Sequence, residues 1–271
     1  MNDPTAGFNL STPEVQLYLA RLGLIGPLPP TVETLRELHR AHLFGVPFEN
    51  LDIHLGRSIV LEERRLFDKV VRGRRGGFCY ELNGLFAALL RALGFEVTLL
   101  SAQVAGRDGT FGQEFDHLAL RVDLGEPFLV DVGFGDAFLE PLRLQPGLMQ
   151  LEGEKSFRLD REGPVWTFWE RRGQDPWAVQ YRFTLTPREL VDFTSMCEYH
   201  QTSPDSHFTQ GVLVTLPTPA GRVTLRGERL FTTLHGKRNE HRVLPQEQVA
   251  LLREHFGLII PPLPDRRRGL G

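Results

Sequence analysis

A glycine pair runs directly into a cysteine at the head of an apolar helical stretch, in Arg74-Arg75-Gly76-Gly77-Phe78-Cys79-Tyr80-Glu81-Leu82-Asn83. Leu82, Leu85, Phe86, Leu89 and Leu93 recur at helical spacing and Gly94 supplies a C-terminal cap, so an amphipathic helix starts near Cys79. A cysteine in the first turn of a helix sits where the positive end of the helix dipole favours the thiolate, and the two neighbouring arginines push the same way. A nucleophilic thiolate needs a base and a carboxylate that orients the base. Neither lies beside Cys79 in sequence, so the fold must bring distant segments to this helix.

The 271 residues suffice for a large core divided into two or three subdomains. Hydrophobic residues make up 41% and charged residues 24%, the balance of a globular protein. A net charge of -3 gives no nucleic-acid footprint, and the absence of a run of eighteen apolar residues argues against a membrane span. The segment Met1 to Phe8 has neither the basic start nor the apolar core of a signal peptide. Two cysteines make no disulfide framework, so a reduced, cytoplasmic protein is expected. With no CxxC pair and no HExxH helix, no metal site is expected.

Along the chain, the first third reads helical. Ser11 or Thr12 caps a helix with Pro13 at its first position, and Val15, Leu17, Tyr18, Leu19 and Leu22 form its stripe up to Gly23. Thr31 starts a second helix through Leu35, Leu38, His39 and Leu43, ended by Gly45 and Pro47. After Gly94 the period changes to that of strands: residues 95–100, 117–122, 128–132, 165–168 and 177–183. Thr186 and Glu189 have capping-box spacing for a helix. Residues 211–216, 223–226 and 229–234 read as short strands, and Pro245 to Gln248 opens a last helix capped at Gly257. The tail from Pro261, with Arg266-Arg267-Arg268, reads as loose.

The strands at 117–122 and 128–132 flank Asp123-Leu124-Gly125-Glu126-Pro127, a hairpin turn. A hairpin centred on Leu124 places His117 directly opposite Asp131 on one face, with Cβ atoms about 4.5–5.5 Å apart. The aspartate then holds one imidazole nitrogen, and the other takes the thiol proton of Cys79. A slip by one residue would put the two on opposite faces. Asp116 points to the other face in this reading, and Asp136, in the turn after Gly133-Phe134-Gly135, reads as a solvated loop carboxylate. Cys197 reads as a structural cysteine.

At these residues the chain resembles the arylamine N-acetyltransferase family. The resemblance is carried by Arg75 to Asn83, by His117, and by Asp131-Val132-Gly133-Phe134-Gly135 in the same chain order. Two further segments also resemble the family: Pro47-Phe48-Glu49-Asn50-Leu51 near the acceptor pocket, and Tyr199 to Phe208. The match runs from about Phe44 to about His235.

The resemblance implies an α+β fold with a cysteine-protease-like Cys-His-Asp core. Residues 1–94 would form a helical bundle carrying the cysteine, 95–186 a β-barrel carrying histidine and aspartate, and 187–271 an interdomain helix and an α/β lid. It implies Cys79, His117 and Asp131 as catalytic residues. The acetyl group would pass from acetyl-CoA, a cosubstrate and not a resident cofactor, through a Cys79 thioester to an aromatic amine, hydrazine or arylhydroxylamine. Phe134 borders the acyl pocket in this reading, Gly133 and Gly135 let the backbone approach a ligand, Phe48 walls the acceptor site, and Val104, in a loop before the histidine strand, meets CoA.

Arg72, Arg74 and Arg75 are either attractors of the CoA phosphates or a surface cluster, with Arg75 pinning the loop. His235 reads as a loop histidine without a role. The same three catalytic residue types also serve papain-like and transglutaminase-like thiol hydrolases, and the same fold serves amide synthesis in biosynthesis. The sequence sets no oligomeric state.

Overall fold

The structure, a computed structural model, describes residues 10–106 and 108–264. The segment Met1 to Phe8 and the arginine run at 266–268 lie outside the described residues.

Two capped helices lead the chain. In α1 (Thr12–Arg21), Ser11 and Glu14 form a capping box with Pro13 in the first turn. In α2 (Val32–Gly45), Thr31 accepts from the Thr34 N–H. Leu17 is 49% exposed and leaves the apolar stripe expected of α1. A two-residue strand β1 (Phe48–Glu49) follows, then α3 (Leu51–His54), α4 (Glu63–Phe67) and a π-helical turn at Asp68–Arg72.

The cysteine helix α5 (Cys79–Ala92) is not amphipathic in place: every residue from Cys79 to Leu90 is buried. It is the axis of the largest core cluster, which takes side chains from α1, α2, the π turn and the inner face of the barrel.

The barrel is one antiparallel sheet. Its strands are β2 (Glu96–Val104), β3 (His117–Asp123), β4 (Pro127–Val130), β5 (Leu142–Arg143), β6 (Met149–Glu152), β7 (Lys155–Glu162), β8 (Val165–Arg172) and β9 (Ala178–Thr184). They run in the order β5-β4-β3-β2-β9-β8-β7-β6. Closure between the edge strands β5 and β6 comes from a side chain: the Gln150 amide accepts from Arg143 N–H at 2.8 Å and donates to Arg143 C=O at 3.2 Å. Aromatic rings of Phe138, Phe157, Phe168 and Tyr181 fill the interior.

Thr186 does not cap a helix. Glu189 and Asp192 do so three residues later, at the 3₁₀ turn Leu190–Phe193 that runs into α6 (Thr194–Thr202). After α7 (His207–Gln210), the strands β10 (Leu213–Thr218), β11 (Gly221–Arg226), β12 (Arg229–Leu234) and β13 (Lys237–Arg242) form a second sheet with β1 at its edge. The last helix, α8 (Gln248–Phe256), ends at Gly257 in the left-handed region and covers this sheet with Leu252 and Phe256. Among the described residues, no helix is long and apolar enough to cross a membrane.

Candidate active site

The loop ahead of Cys79 is built by close approach. A Cβ on Gly76 would lie 1.9 Å from the Pro47 carbonyl oxygen, and one on Gly77 would lie 2.7 Å from a Glu81 carboxylate oxygen. Neither glycine has a positive φ, so the pair is required for space and not for backbone conformation.

Arg75 pins this loop from beneath. Its guanidinium meets Glu49 at 2.7 Å and Asp52 at 2.9 Å. Lys69 bridges Asp52 at 2.8 Å and Glu81 at 2.7 Å, while Glu81 accepts from the Phe78 N–H at the head of α5. Three carboxylates thus share two cations in a buried site. Burial pushes Glu81 up to about 7 against the pull of Lys69, so this carboxyl holds a proton more readily than an ordinary glutamate. Arg72 and Arg74 stay on the surface, Arg72 paired with Asp68. Neither Arg74 nor Arg75 acts on the thiol, contrary to the sequence expectation: one is exposed, and the other is spent on Glu49 and Asp52.

Cys79, His117 and Asp131 converge in the core, at 3%, 3% and 1% exposure. The hairpin is centred on Gly125, not on Leu124: Val122 pairs with Phe128 and Asp123 with Pro127. His117 and Asp131 are therefore diagonal, and Asp131 lies just past the end of β4. A displacement by two preserves the face, and the side chains close the gap, with His117 Nε2 2.7 Å from Asp131 Oδ2. The other ring nitrogen, Nδ1, is left available to the cavity that His117 lines.

Asp131 accepts from three further donors: Asn83 Nδ2 at 2.8 Å, the Gly133 N–H at 2.9 Å and the Tyr181 hydroxyl at 3.1 Å. Burial pushes its carboxyl up, but the His117 ring and these donors outweigh that and hold it below the usual range. His39 supports the same turn from α2, between Leu139 C=O and the Asp131 backbone. Asn83 also bonds Val132 N–H and Leu118 C=O, so one side chain from α5 ties both barrel strands to the cysteine helix. Sequence reasoning missed Asn83, although it stands one turn after Cys79 and so shares its face.

The thiol itself departs from expectation. Burial pushes Cys79 well above its usual pKa, and the nearby charges of Asp131 and Asp116 push further, against a hydrogen bond from the Leu118 N–H.

A cavity of about 340 Å³ opens on Cys79 and His117. Phe48, Val104, Gly133, Phe134 and Gly135 all line it. Val104 is the last residue of β2 and not part of a loop. Gly133 backs against the cysteine helix, where a Cβ would lie 2.7 Å from Cys79 Cα. Phe134 stands edge-on to His117, with centroids 5.2 Å apart.

Asp116 also lines the cavity, because the strand starts only at His117 and the preceding residue is free of its alternation. Asp136, with a side chain 40% exposed, is solvated in part but is not a free loop carboxylate. Lys155, Arg172 and Arg222 surround it at 2.8, 2.7 and 3.2 Å and hold it down to about 2 against the effect of burial. Arg222 also donates to Gly135 C=O, which ties the turn to the second sheet. His207, Phe208, Thr215 and Arg222 complete the outer wall; His207 and Phe208 end the Tyr199 to Phe208 segment that resembles the family, whereas no sequence signal marked Thr215 and Arg222, which come from the second sheet. Cys197 is buried in α6 beside Gln201. Among the described residues, no cluster of three metal-ligating side chains occurs.

The chain matches the family model described as N-acetyltransferase over residues 31–263. The arylamine N-acetyltransferase of Mycolicibacterium smegmatis is 37% identical over 258 residues, covering 92% of this chain and 93% of that protein. The Escherichia coli K12 arylamine N-acetyltransferase is 35% identical over 252 residues, covering 91% and 89%. Two solved structures superimpose closely. The Salmonella typhimurium arylamine N-acetyltransferase has a TM-score of 0.86 at 33% identity, covering 97% of this chain and 96% of that one. The Mycobacterium marinum arylamine N-acetyltransferase in complex with CoA has a TM-score of 0.83 at 33% identity, covering 90% and 92%. On sequence and fold alike, this chain belongs to the arylamine N-acetyltransferase family.

Proposed function

We propose that the protein transfers an acetyl group from acetyl-CoA to an aromatic amine, hydrazine or arylhydroxylamine, with Cys79 as the acyl carrier, His117 as the base and Asp131 as its orienting carboxylate. The observation that carries this reading is the continuous path from an aromatic-walled cavity through Cys79 and His117 to a carboxylate saturated with donors. The acetyl-CoA donor is supported by the CoA complex of the marinum relative. Arylhydroxylamine acceptors are supported by the name of a Salmonella typhimurium relative, arylamine N-acetyltransferase / N-hydroxyarylamine O-acetyltransferase.

The Cys79 thiol gives its proton to His117 Nδ1 as sulfur attacks the acetyl carbonyl. The CoA sulfur leaves with the electron pair and takes that proton from the imidazolium, whose charge Asp131 balances. The acetyl group now sits on Cys79 as a thioester, of nearly the same energy as the one consumed. The arylamine nitrogen then attacks, His117 accepts its proton, the C–S bond breaks and the proton returns to sulfur.

Residues 1–94 supply the nucleophile in this reading, 95–186 the base and its carboxylate, and 187–271 the outer wall. The two free cysteines favour a reducing, cytoplasmic setting.

The test is direct. Protein incubated with acetyl-CoA alone should gain one acetyl mass on Cys79, and added arylamine should remove it as the acetamide. A Cys79→Ala variant that still acetylates arylamines at the normal rate would overturn the mechanism, and peptide cleavage without any use of acyl-CoA would point to a thiol hydrolase.

A further inference from the structure

A second histidine–carboxylate pair stands on the same cavity and has no part in the cycle above. Asp116 Oδ1 lies 3.1 Å from His200 Nε2, and His200 Nδ1 lies 3.0 Å from Ser206 Oγ. Ser206 Oγ accepts the Phe208 N–H at the head of α7 and can turn its own hydrogen to His200 Nδ1, which leaves the Nε2 proton of His200 for Asp116.

The rest of the setting aims that charge. His200 and Ser206 are buried, whereas the Asp116 side chain is 19% exposed, into the cavity shared with Cys79 and His117. Tyr80 donates to the carbonyls of Phe115 and Asp116 at 2.8 and 3.1 Å, and Ser101 accepts the Phe115 N–H at 2.7 Å. These bonds hold Phe115 at φ 67, a costly conformation for a bulky residue and one that turns the chain just ahead of Asp116. Among the described residues, Asp116 Oδ2 takes one hydrogen bond, from the Val104 N–H at 3.3 Å. Among the described residues no lysine or arginine pairs with Asp116. The other cavity carboxylate, Asp136, is neutralised by three cations, and the Arg222 guanidinium is spent on Asp136, Gly135 C=O and Thr215.

We propose that Asp116, aimed by His200 and Ser206, is a specificity residue that recognises a cationic or hydrogen-bond-donating group on the acceptor and disfavours anionic acceptors. The proposal rests on the acyl-transfer reading. A partly desolvated carboxylate with no lysine or arginine partner among the described residues gains a charge-assisted bond from an amidinium or ammonium group and repels a carboxylate at the same place.

The test compares kcat/KM for 3- and 4-aminobenzamidine, 3- and 4-aminobenzoate and the neutral 3- and 4-methylanilines, in the native protein and in Asp116→Asn. Thermal unfolding serves as a control for folding. The native protein should prefer the amidines. Asp116→Asn should lower the amidine-to-benzoate ratio by about tenfold or more, the size expected of one charge-assisted hydrogen bond. His200→Gln keeps the charge but loses its support, and should move the ratio the same way by less; it also serves if the asparagine variant folds poorly.

A ratio unchanged within about twofold in both variants would overturn the proposal. So would a rise in KM for acetyl-CoA with the ratio unmoved, because Asp116 would then serve the donor. Acetylation of Cys79 by acetyl-CoA alone, followed by intact mass, separates these outcomes from failure of the acyl-transfer reading: its absence in the native protein would sink that reading first.

Discussion

Two histidine–carboxylate pairs border one cavity in opposite orientation. In the His117–Asp131 pair the imidazole faces the cavity and the carboxylate is sealed behind it, bonded by four donors. In the His200–Asp116 pair the carboxylate faces the cavity and the imidazole is sealed behind it. The residue types are the same, so the difference lies in which partner the fold exposes. A presented imidazole can exchange a proton with whatever enters. A presented carboxylate backed by a buried ring is, on the proposal above, a charge that selects what enters.

The comparison breaks most sharply at Asp131. In Asp131→Asn the amide nitrogen would replace Oδ2, force His117 Nε2 to act as acceptor and place the ring proton on Nδ1, where the base is needed. The rate of Cys79 acetylation should fall by roughly 10³–10⁴-fold with the fold retained, as for other triads that lose this carboxylate. The same variant tests a pH dependence. The Asp131 carboxyl is held below its unfolded value, so its contribution to stability is present above about pH 4 and is lost as pH falls through the lowered folded value. Melting temperatures measured down to acid pH should fall less steeply in Asp131→Asn than in the native protein. Parallel curves would show that Asp131 is not held low.

A smaller effect is expected from the turn that carries the first pair. A methyl at Gly133 meets the Cys79 backbone, so Gly133→Ala must push the Asp131 turn away from α5 at a cost of about 1–3 kcal/mol. Acetyl transfer should drop while discrimination among acceptors, set by the second pair, stays in place. Loss of both together would mean that the two pairs are not independent.

The smallest effect belongs to Tyr181→Phe, which removes one of the four donors to Asp131. About 1 kcal/mol, or roughly fivefold in acetylation rate, is expected. A loss as large as that of Asp131→Asn would make Tyr181 a partner in proton transfer and not a support.

How much of this was legible in the sequence varied with distance along the chain. Cys79, His117 and Asp131 stood out through local motifs, and the hairpin placed the last two on one face even though its centre was misjudged. A turn of Leu124, Gly125 and Glu126, with Gly125 at φ +78, moves the pairing by two and leaves the parity intact. His200 and Ser206 lie in a segment that resembles the family, but their meeting with Asp116 was not legible because it forms only through tertiary packing, and the strand period misassigned Asp116 by one residue. Strand β13 escaped notice for another reason: every residue from Lys237 to Arg242 is exposed, so no apolar alternation marks it. The short helices α3 and α4 are too brief to show a period. The depth of Cys79 was not legible either: burial pushes its thiol up, and Arg75, its neighbour in sequence, turns to Glu49 and Asp52.

The strand β1 has a consequence for how the enzyme comes into being. Phe48 and Glu49 pair with Thr215 and Val214, more than 160 residues later, and Glu49 also anchors the cysteine loop through its bond to the Gly77 carbonyl and its ion pair with Arg75. A chain leaving the ribosome therefore presents the nucleophile, its helix and the whole barrel before the partner of Phe48 has been made. The wall of the cavity closes only after that partner emerges, and a contact so distant in sequence is slow to form. Acetyl transfer should thus be among the last properties a nascent or refolding molecule acquires, well after its barrel and its helices are in place.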